Sequence, residues 1–305
     1  MQYPAVLDHD RISWSFLAKR TNTKGPGMSF SLALKESLIH KLSSHRHSPL
    51  VTALARCGGA LVKGAGNYSF NHDLNGESRV LKVLATHVPA AATVFDVGAN
   101  VGDWTELALR HMPQASVHSF EIAPPTFAKL RGRFDLDPRI HLNGFGLSDA
   151  NSEIDLNYAT GHDGHSSMVA PFIPGRYDTI KALVRRGDDY VEANGLTKPN
   201  AIALLKIDVE GDEEHVLKGF TRTLQAGRVS AIQFEYGRAN VQSRFLLKDF
   251  YDTLSPLGFK IGKIYPNEVE FQDYALANED FIGPNYVAVH RDQTALLAAL
   301  EHRLK

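Results

Sequence analysis

Four apolar runs in this chain end in acidic residues: TVF before Asp96, SVHSF before Glu121, ALLKI before Asp208 and Glu210, and AIQF before Glu235. A carboxylate at such a point can accept hydrogen bonds from hydroxyls, attract an ammonium or sulfonium, or take up a proton. The first run continues as DVGANVGDWTELAL, residues 96–109, with Gly98, Asn100 and Gly102 at every second position before a helical pattern begins. A strand, a tight turn and a helix N-terminus together form a cradle of free N–H groups at positive potential. Glycine, and to a lesser degree asparagine, tolerates the left-handed backbone that such a turn needs, and Gly98 and Gly102 would let a ligand come close. The spacing departs from the G-x-G-x-x-G dinucleotide fingerprint. Asp96 just before the turn would repel a pyrophosphate and suit a cationic ligand.

The other strand ends extend this reading. Glu121 ends the second strand, 19 residues after Gly102, where an acidic side chain accepts bonds from both ribose hydroxyls. Ser148 and Asp149, in GLSD, are expected beside an adenine edge. In LLKIDVEGDEEHVLKGF, residues 204–220, Lys206 and Asp208 alternate with apolar neighbours, and Glu210 and Gly211 form the turn. Asp212 and Glu214 read as compensation of the helix dipole. Lys206, Asp208 and Glu210 call for more than that in a half-buried strand end, because ligands of open α/β sheets lie outside the carboxyl ends of the strands. Glu235 and Tyr236 reach the same rim.

These residues need elements to position them. From about residue 77 strand-like and helix-like segments alternate, which predicts a mostly parallel, doubly wound α/β sheet. IHLNGFGLS reads as one third strand. GFKIGKIY and NYVAVH read as an antiparallel hairpin at one edge. Two helical patterns, 29–43 and 49–62, precede a Gly- and Asn-rich loop over 63–77. The division expected is a helical extension over 1–76 and a second domain over 77–305.

Lys and Arg number 33 against 34 Asp and Glu, which disfavours a general nucleic-acid surface. One cysteine, Cys57, excludes an intrachain disulfide framework. No apolar run has signal-peptide or membrane-helix character, so the expectation is a cytoplasmic protein without a membrane span. His40, His45 and His47 read as a solvated helix–loop junction rather than a zinc site.

TVFDVGANVGDWT, HSFEIAP, LLKIDVEGDEEHVLKGF, IQFEYG and NYVAV resemble the FkbM family of S-adenosylmethionine-dependent methyltransferases, across residues 71–290. The resemblance implies a class I methyltransferase, Rossmann-like sheet of seven strands, the last antiparallel. It also implies transfer of a methyl group to a hydroxyl of a sugar, glycan or natural product. The cofactor-binding set expected is Asp96, Gly98, Asn100, Gly102, Glu121, Ser148 and Asp149. The catalytic set is Lys206, Asp208, Glu210 and Glu235, with Asp208 or Glu210 taking the acceptor's proton directly or through a histidine or water. His162 and His165 are alternative bases. They lie in GHDGHSSM, which carries the family's serine pair as Ser166 and Ser167.

Competing readings are a nucleotide- or NAD-binding oxidoreductase, disfavoured by the turn spacing and Asp96, and a non-catalytic module on the same fold. Asp208, Glu210 and Glu235 are hard-cation donors, although no metal is expected. No base-methylating signature follows the fourth strand, where DVEG stands instead. The N-terminal helices read as a lid or a dimer contact.

Overall fold

The computed structural model describes residues 32–159 and 177–303. These divide into two compact units, one drawn from 32–65 with Ala275–Asp280, the other from 66–159, 177–274 and 281–303. The first unit contains α1 (Leu32–Ser44) and α2 (Pro49–Ala65), joined by a short turn. No helix among the described residues is long and apolar enough to cross a membrane.

The second unit alternates strand and helix as the sequence pattern requires: α3 (Glu77–Ala85), β1 (Thr93–Val97), α4 (Asp103–His111), β2 (Ser116–Phe120), α5 (Pro124–Phe134) and β3 (Ile140–Asn143). Then follow β4 (Gly146–Ser148), β5 (Ser152–Ala159), β6 (Tyr177–Arg186), α6 (Gly187–Ala193) and β7 (Ile202–Ile207). The chain continues through α7 (Glu213–Gly219), α8 (Thr221–Gln225), β8 (Val229–Glu235), α9 (Ala239–Ser243) and α10 (Leu247–Leu254). It closes with β9 (Phe259–Ile264), β10 (Val269–Phe271), β11 (Asn285–His290) and α11 (Thr294–Glu301).

The main sheet runs β10-β9-β11-β8-β7-β1-β2-β3. β3, β2, β1, β7 and β8 pair in parallel, while β11 lies antiparallel between β8 and β9. The seven-stranded plan with an antiparallel last strand is thus present, extended by β10 as an eighth strand at the edge. β9 and β11 do pair antiparallel. Contrary to the expected edge hairpin, β11 is interior, paired with β8 on one side and β9 on the other.

Strand order reverses between β1 and β7, which opens a crevice at their carboxyl ends. β7 is buried along its whole length, and β1 at four of its five positions. That is the mark of a sheet covered on both faces. Along β1, Phe95 and Val97 join one apolar layer with Phe220, Leu224 and Phe250. Val94 joins the other, with Leu81, Trp104 and Leu107. Each fully buried side chain of this kind contributes roughly 1.5–3 kcal/mol, so both layers hold the strand ends firmly.

The expected third strand divides. β3 stays in the main sheet, whereas β4 leaves to pair with β6 in a second sheet of order β4-β6-β5. Gly144 and Gly146 allow the break. A Cβ on Gly144 would come within 2.8 Å of the Phe127 ring, and one on Gly146 within 2.8 Å of Ile122.

Candidate active site

A cavity of about 390 Å³ opens at the carboxyl ends of β1, β2, β7 and β8. One part of its wall carries Gly98, Asn100, Phe120 and Glu121, and another carries Asp208, Glu210, Glu235 and His72.

The first wall is built by the turn after β1. Gly98 has φ +81°, and a Cβ there would lie 1.8 Å from the carbonyl oxygen of Asp208. Gly102 has φ +93°, and its Cβ would lie 2.3 Å from the Phe134 ring. The small residues are therefore required first by the protein's own chain: Gly98 lets the end of β7 approach β1, and Gly102 seats α4 against α5. Gly102 does not line the cavity. Asn100 takes a left-handed φ of 50°. Its N–H donates to Glu121 Oε2 at 2.8 Å, and the N–H of Ala123 donates to Oε1 at 2.8 Å. Glu121 is thereby fixed at the cavity wall. Burial pushes its carboxyl up to about 7 against the pull of these two N–H groups, and Asp96 adds to the rise.

Asp96 and Lys206 are neighbours in the β1–β7 register, with Ser119 and Gln233 on the flanking strands. This polar row lies on the face covered by α3 and α4. Asp96 is fully buried and accepts from Lys206 Nζ at 3.0 Å and from the Thr105 hydroxyl at 2.7 Å. Lys206 Nζ also lies 3.3 Å from Asp208 Oδ2 and donates to the Gly98 carbonyl at 3.3 Å. Burial opposes its charge, yet Asp96 and Asp208 outweigh that and hold its pKa above the ordinary lysine value. Neither Asp96 nor Lys206 lines the cavity. The expected direct contact of Asp96 with a ligand is corrected accordingly: its carboxylate is spent on Lys206 and Thr105. Lys206 is likewise buried, with its ammonium against Asp208.

The acidic wall differs in protonation from residue to residue. Burial would raise Asp208, but Lys206 and a hydrogen bond with Glu235 hold its carboxyl below the usual range. Burial, then Asp208 and Glu210, push Glu235 well above it. Opposite protonation states within this pair follow, since two adjacent buried carboxylates disfavour joint ionisation. Glu210 sits at φ 54° in the turn, and burial together with Asp208 pushes it up to about 8. Gly211 beside it has φ 106°. Glu213 ties this turn down by accepting from the N–H of Gly211 at 3.1 Å and from Asn240 Nδ2 at 3.0 Å.

Ser148 and Asp149 do not reach the cavity. Because β4 has left for the second sheet, Gly146 and Leu147 line that side instead. His162, His165, Ser166 and Ser167 lie outside the described residues. Among the described residues no group of three or more His, Cys, Asp and Glu is arranged to hold a metal ion.

Asp212 was read only as helix-dipole compensation, and His72 and Glu77 had no role in the sequence reading; all three line the cavity. Asp212 accepts from His215 Nδ1 at 2.7 Å, while burial pushes its carboxyl up to about 6. His72 and Glu77 come from the Gly- and Asn-rich loop and the start of α3, and they are hydrogen-bonded to each other at 2.9 Å. The Asn75–Gly76–Glu77 run before a helical pattern was the only local signal for this pair.

S-Adenosylmethionine fits the residues present. Asn100 Oδ1 and Asp212 Oδ2 are buried with no hydrogen-bond partner among the described residues, and both side chains line the cavity. Unsatisfied buried acceptors are costly unless a ligand satisfies them. Glu121 retains lone pairs for ribose hydroxyls, and the acidic lining suits a cationic sulfur and an ammonium.

A family model described as the methyltransferase FkbM domain matches residues 96–261, more than half of the chain. A hexuronic acid methyltransferase, AglP, from Haloferax volcanii is 31% identical over 166 residues, covering 54% of this chain and 65% of that protein. The 31-O-demethyl-FK506 methyltransferase FkbM from Streptomyces tacrolimicus is 32% identical over 154 residues, covering 41% of this chain and 58% of that one. The chain thus spans less than two thirds of either relative's length. A crystal structure of methyltransferase FkbM from Methylobacillus flagellatus aligns with a TM-score of 0.43 at 16% identity, over 65% of this chain and 44% of that one.

Proposed function

The chain belongs to the methyltransferase FkbM domain family, and from that premise we propose that it is an S-adenosylmethionine-dependent O-methyltransferase acting on a hydroxyl of a sugar, glycan or natural product. The observation that carries this reading is a single cavity with Glu121 and Asn100 on one wall and the Asp208–Glu235 carboxyl pair on another. One relative is named for a hexuronic acid and another for a 31-O-demethyl compound, and both names favour oxygen on an oxygen-rich acceptor.

Glu121, Asn100, Asp212 and the backbone at Gly98 would hold the cofactor. Bound there, it supplies an electrophilic methyl carbon, and the chain must supply alignment and a place for a proton. Alignment of bound partners alone is worth up to about 7–11 kcal/mol. Asp208, kept anionic by Lys206, accepts a hydrogen bond from the acceptor's hydroxyl and orients it. Its lowered pKa makes it a weak proton acceptor at neutral pH, where an effective base has a pKa near the working pH. Glu210 and Glu235 hold their protons there and serve as hydrogen-bond donors.

The test pairs calorimetric binding of S-adenosylhomocysteine with transfer from methyl-labelled cofactor to a panel of glycosides and uronic acids. Asp208→Asn is expected to lose most of the transfer and to keep its affinity for S-adenosylhomocysteine. Full transfer by Asp208→Asn would remove Asp208 from the reaction, and failure of the wild-type chain to bind S-adenosylhomocysteine would end the proposal.

A further inference from the structure

The hydroxyl of an alcohol gives up its proton reluctantly, so a methyltransferase acting on one gains from a base that is open to the acceptor and has a free lone pair at the working pH. Among the carboxyls described above, Asp208 is too weak a base, Glu210 and Glu235 keep their protons near pH 7, and Glu121 and Asp212 belong to the proposed cofactor end. His72 has the position for the role: it lines the cavity, and its side chain is 38% exposed. Its Nδ1 is bonded to Glu77 Oε1 at 2.9 Å.

Glu77 is 2% exposed and held from every side. Asn75 Nδ2 donates to it at 2.6 Å, Gln233 Nε2 at 2.6 Å and Asn285 Nδ2 at 3.1 Å. The N–H of Glu77 itself donates to Asn75 Oδ1 at 3.1 Å, which locks the loop onto the start of α3. Burial favours a protonated Glu77, but the bonds from His72, Asn75 and Gln233 outweigh it and keep the carboxyl ionised below its ordinary value. An ionised carboxylate only accepts. Nδ1 of His72 must therefore carry its hydrogen, which leaves the Nε2 lone pair as the ring's basic site.

We propose that His72 is the general base of this cavity, with Nε2 taking the proton of the acceptor hydroxyl and Glu77 acting as the positioning residue that fixes the ring and its tautomer. The proposal rests on the methyl-transfer reading above. As the acceptor oxygen bonds to the methyl carbon, the carbon–sulfur electron pair remains on sulfur and the O–H proton passes to Nε2. The ring becomes an imidazolium beside Glu77 and returns its proton to water. The charged groups acting on the ring are Glu77 from α3 and Lys206 and Asp208 from the β7 end, with Glu77 the dominant one. Its hydrogen bond raises the histidine above its ordinary value, against burial and Lys206.

The test uses the whole chain with S-adenosylmethionine as donor and methyl glycosides, including a methyl glucuronide, as acceptors. His72→Asn is expected to lower kcat by about 10²–10⁴-fold, with S-adenosylhomocysteine affinity unchanged by calorimetry. Glu77→Gln is expected to shift the acidic limb of the kcat profile to lower pH, because the ring loses the partner that raises it. A role for Glu77 in folding alone would leave that limb in place. Ring-nitrogen NMR of the wild-type chain supplies a measurement independent of any acceptor: neutral His72 should carry its hydrogen on Nδ1. A His72→Asn protein that keeps its kcat, or a neutral ring protonated on Nε2, overturns the assignment. Loss of S-adenosylhomocysteine binding by the wild type would instead defeat the methyltransferase reading, and the ring spectrum would still decide whether the dyad exists.

Discussion

Replacing Lys206 with methionine breaks the buried ion pair with Asp96 under the cavity and the contact with Asp208 as well. Asp96 is fully buried and has two side-chain partners, Lys206 Nζ at 3.0 Å and the Thr105 hydroxyl at 2.7 Å. In Lys206→Met it keeps only the neutral one. Removing one member of a buried pair typically costs about 3–5 kcal/mol, because the other charge stays in place uncompensated. Thermal midpoints of domains of 150–250 residues move by roughly 2–4 °C per kcal/mol, so the expected fall is about 6–20 °C. Asp96→Asn should cost less. In that variant Lys206 retains Asp208 at 3.3 Å and the Gly98 carbonyl at 3.3 Å, and its ammonium still has an anion.

The double variant should then be more stable than the sum of the single losses, since neither charge remains to be stranded. Urea unfolding of the four proteins, followed by far-ultraviolet circular dichroism, gives the coupling energy. The reasoning is refuted if the two losses add within about 0.5 kcal/mol, the range found for independent sites, or if Asp96→Asn proves the more damaging change.

Other perturbations test the walls of the cavity. Gly98→Ala places a Cβ 1.8 Å from the Asp208 carbonyl at φ +81°. Strain of about 1–3 kcal/mol at such a backbone should lower the thermal midpoint and abolish S-adenosylhomocysteine binding; retained affinity would show that the turn is not part of the site. Glu121→Gln loses the charged acceptor for the N–H groups of Asn100 and Ala123. Its affinity for S-adenosylhomocysteine should fall by at least about tenfold, or roughly 1.4 kcal/mol, by calorimetry. Glu210 has a folded-state pKa near 8 against an ordinary 4.5, so its protonation stabilises the fold fully below pH 4.5 and the contribution is lost as pH rises through 8. In thermal scans from pH 5 to 9 the wild type should therefore lose ground to Glu210→Gln up to about pH 8 and level off above it, and a constant difference throughout would contradict the assigned shift.

Much of this site was legible in the sequence because strand ends are. The apolar runs before Glu121, Asp208 and Glu235 specify β2, β7 and β8, and a parallel sheet must bring their carboxyl ends to one rim. Depth was harder to read. Lys206 and Asp208 share one side of β7 by alternation, but only the packing of Trp104 and Thr105 over the sheet shows that Lys206 stays beneath while Asp208 emerges. The glycines were legible as small residues, but not what crowds Gly98, a carbonyl 110 residues away. Ser148 and Asp149 were misplaced by a strand break that the apolar pattern of IHLNGFGLS conceals. The His72–Glu77 pair had no signal beyond the Asn75–Gly76–Glu77 run before a helical pattern. Its anchors, Gln233 and Asn285, lie 156 and 208 residues from Glu77, and a histidine in a polar loop gives no local sign of such partners.

The corrected geometry assigns charge in the cavity more sharply than the sequence could. Six acidic side chains line it: Glu77, Glu121, Asp208, Glu210, Asp212 and Glu235. Two are held below their ordinary pKa by specific partners, Asp208 by Lys206 and Glu77 by His72 and its amide donors. Burial pushes the other four up, to about 6 at Asp212, about 7 at Glu121, about 8 at Glu210 and higher than usual at Glu235. Near neutral pH the walls therefore carry fixed anions together with carboxyls that are partly or wholly protonated. A positive ligand favours the ionised form of each neighbouring carboxyl and a neutral one favours the protonated form. On the proposed reaction the cofactor enters as a cation and leaves without that sulfonium charge. The acidic lining then binds the incoming form more strongly than the outgoing one, and the difference grows as pH rises and more of the lining is ionised. On that proposal Glu121 and Asp212 would separate the incoming from the outgoing cofactor by charge, while His72, Glu77 and Asp208 would manage the acceptor's proton.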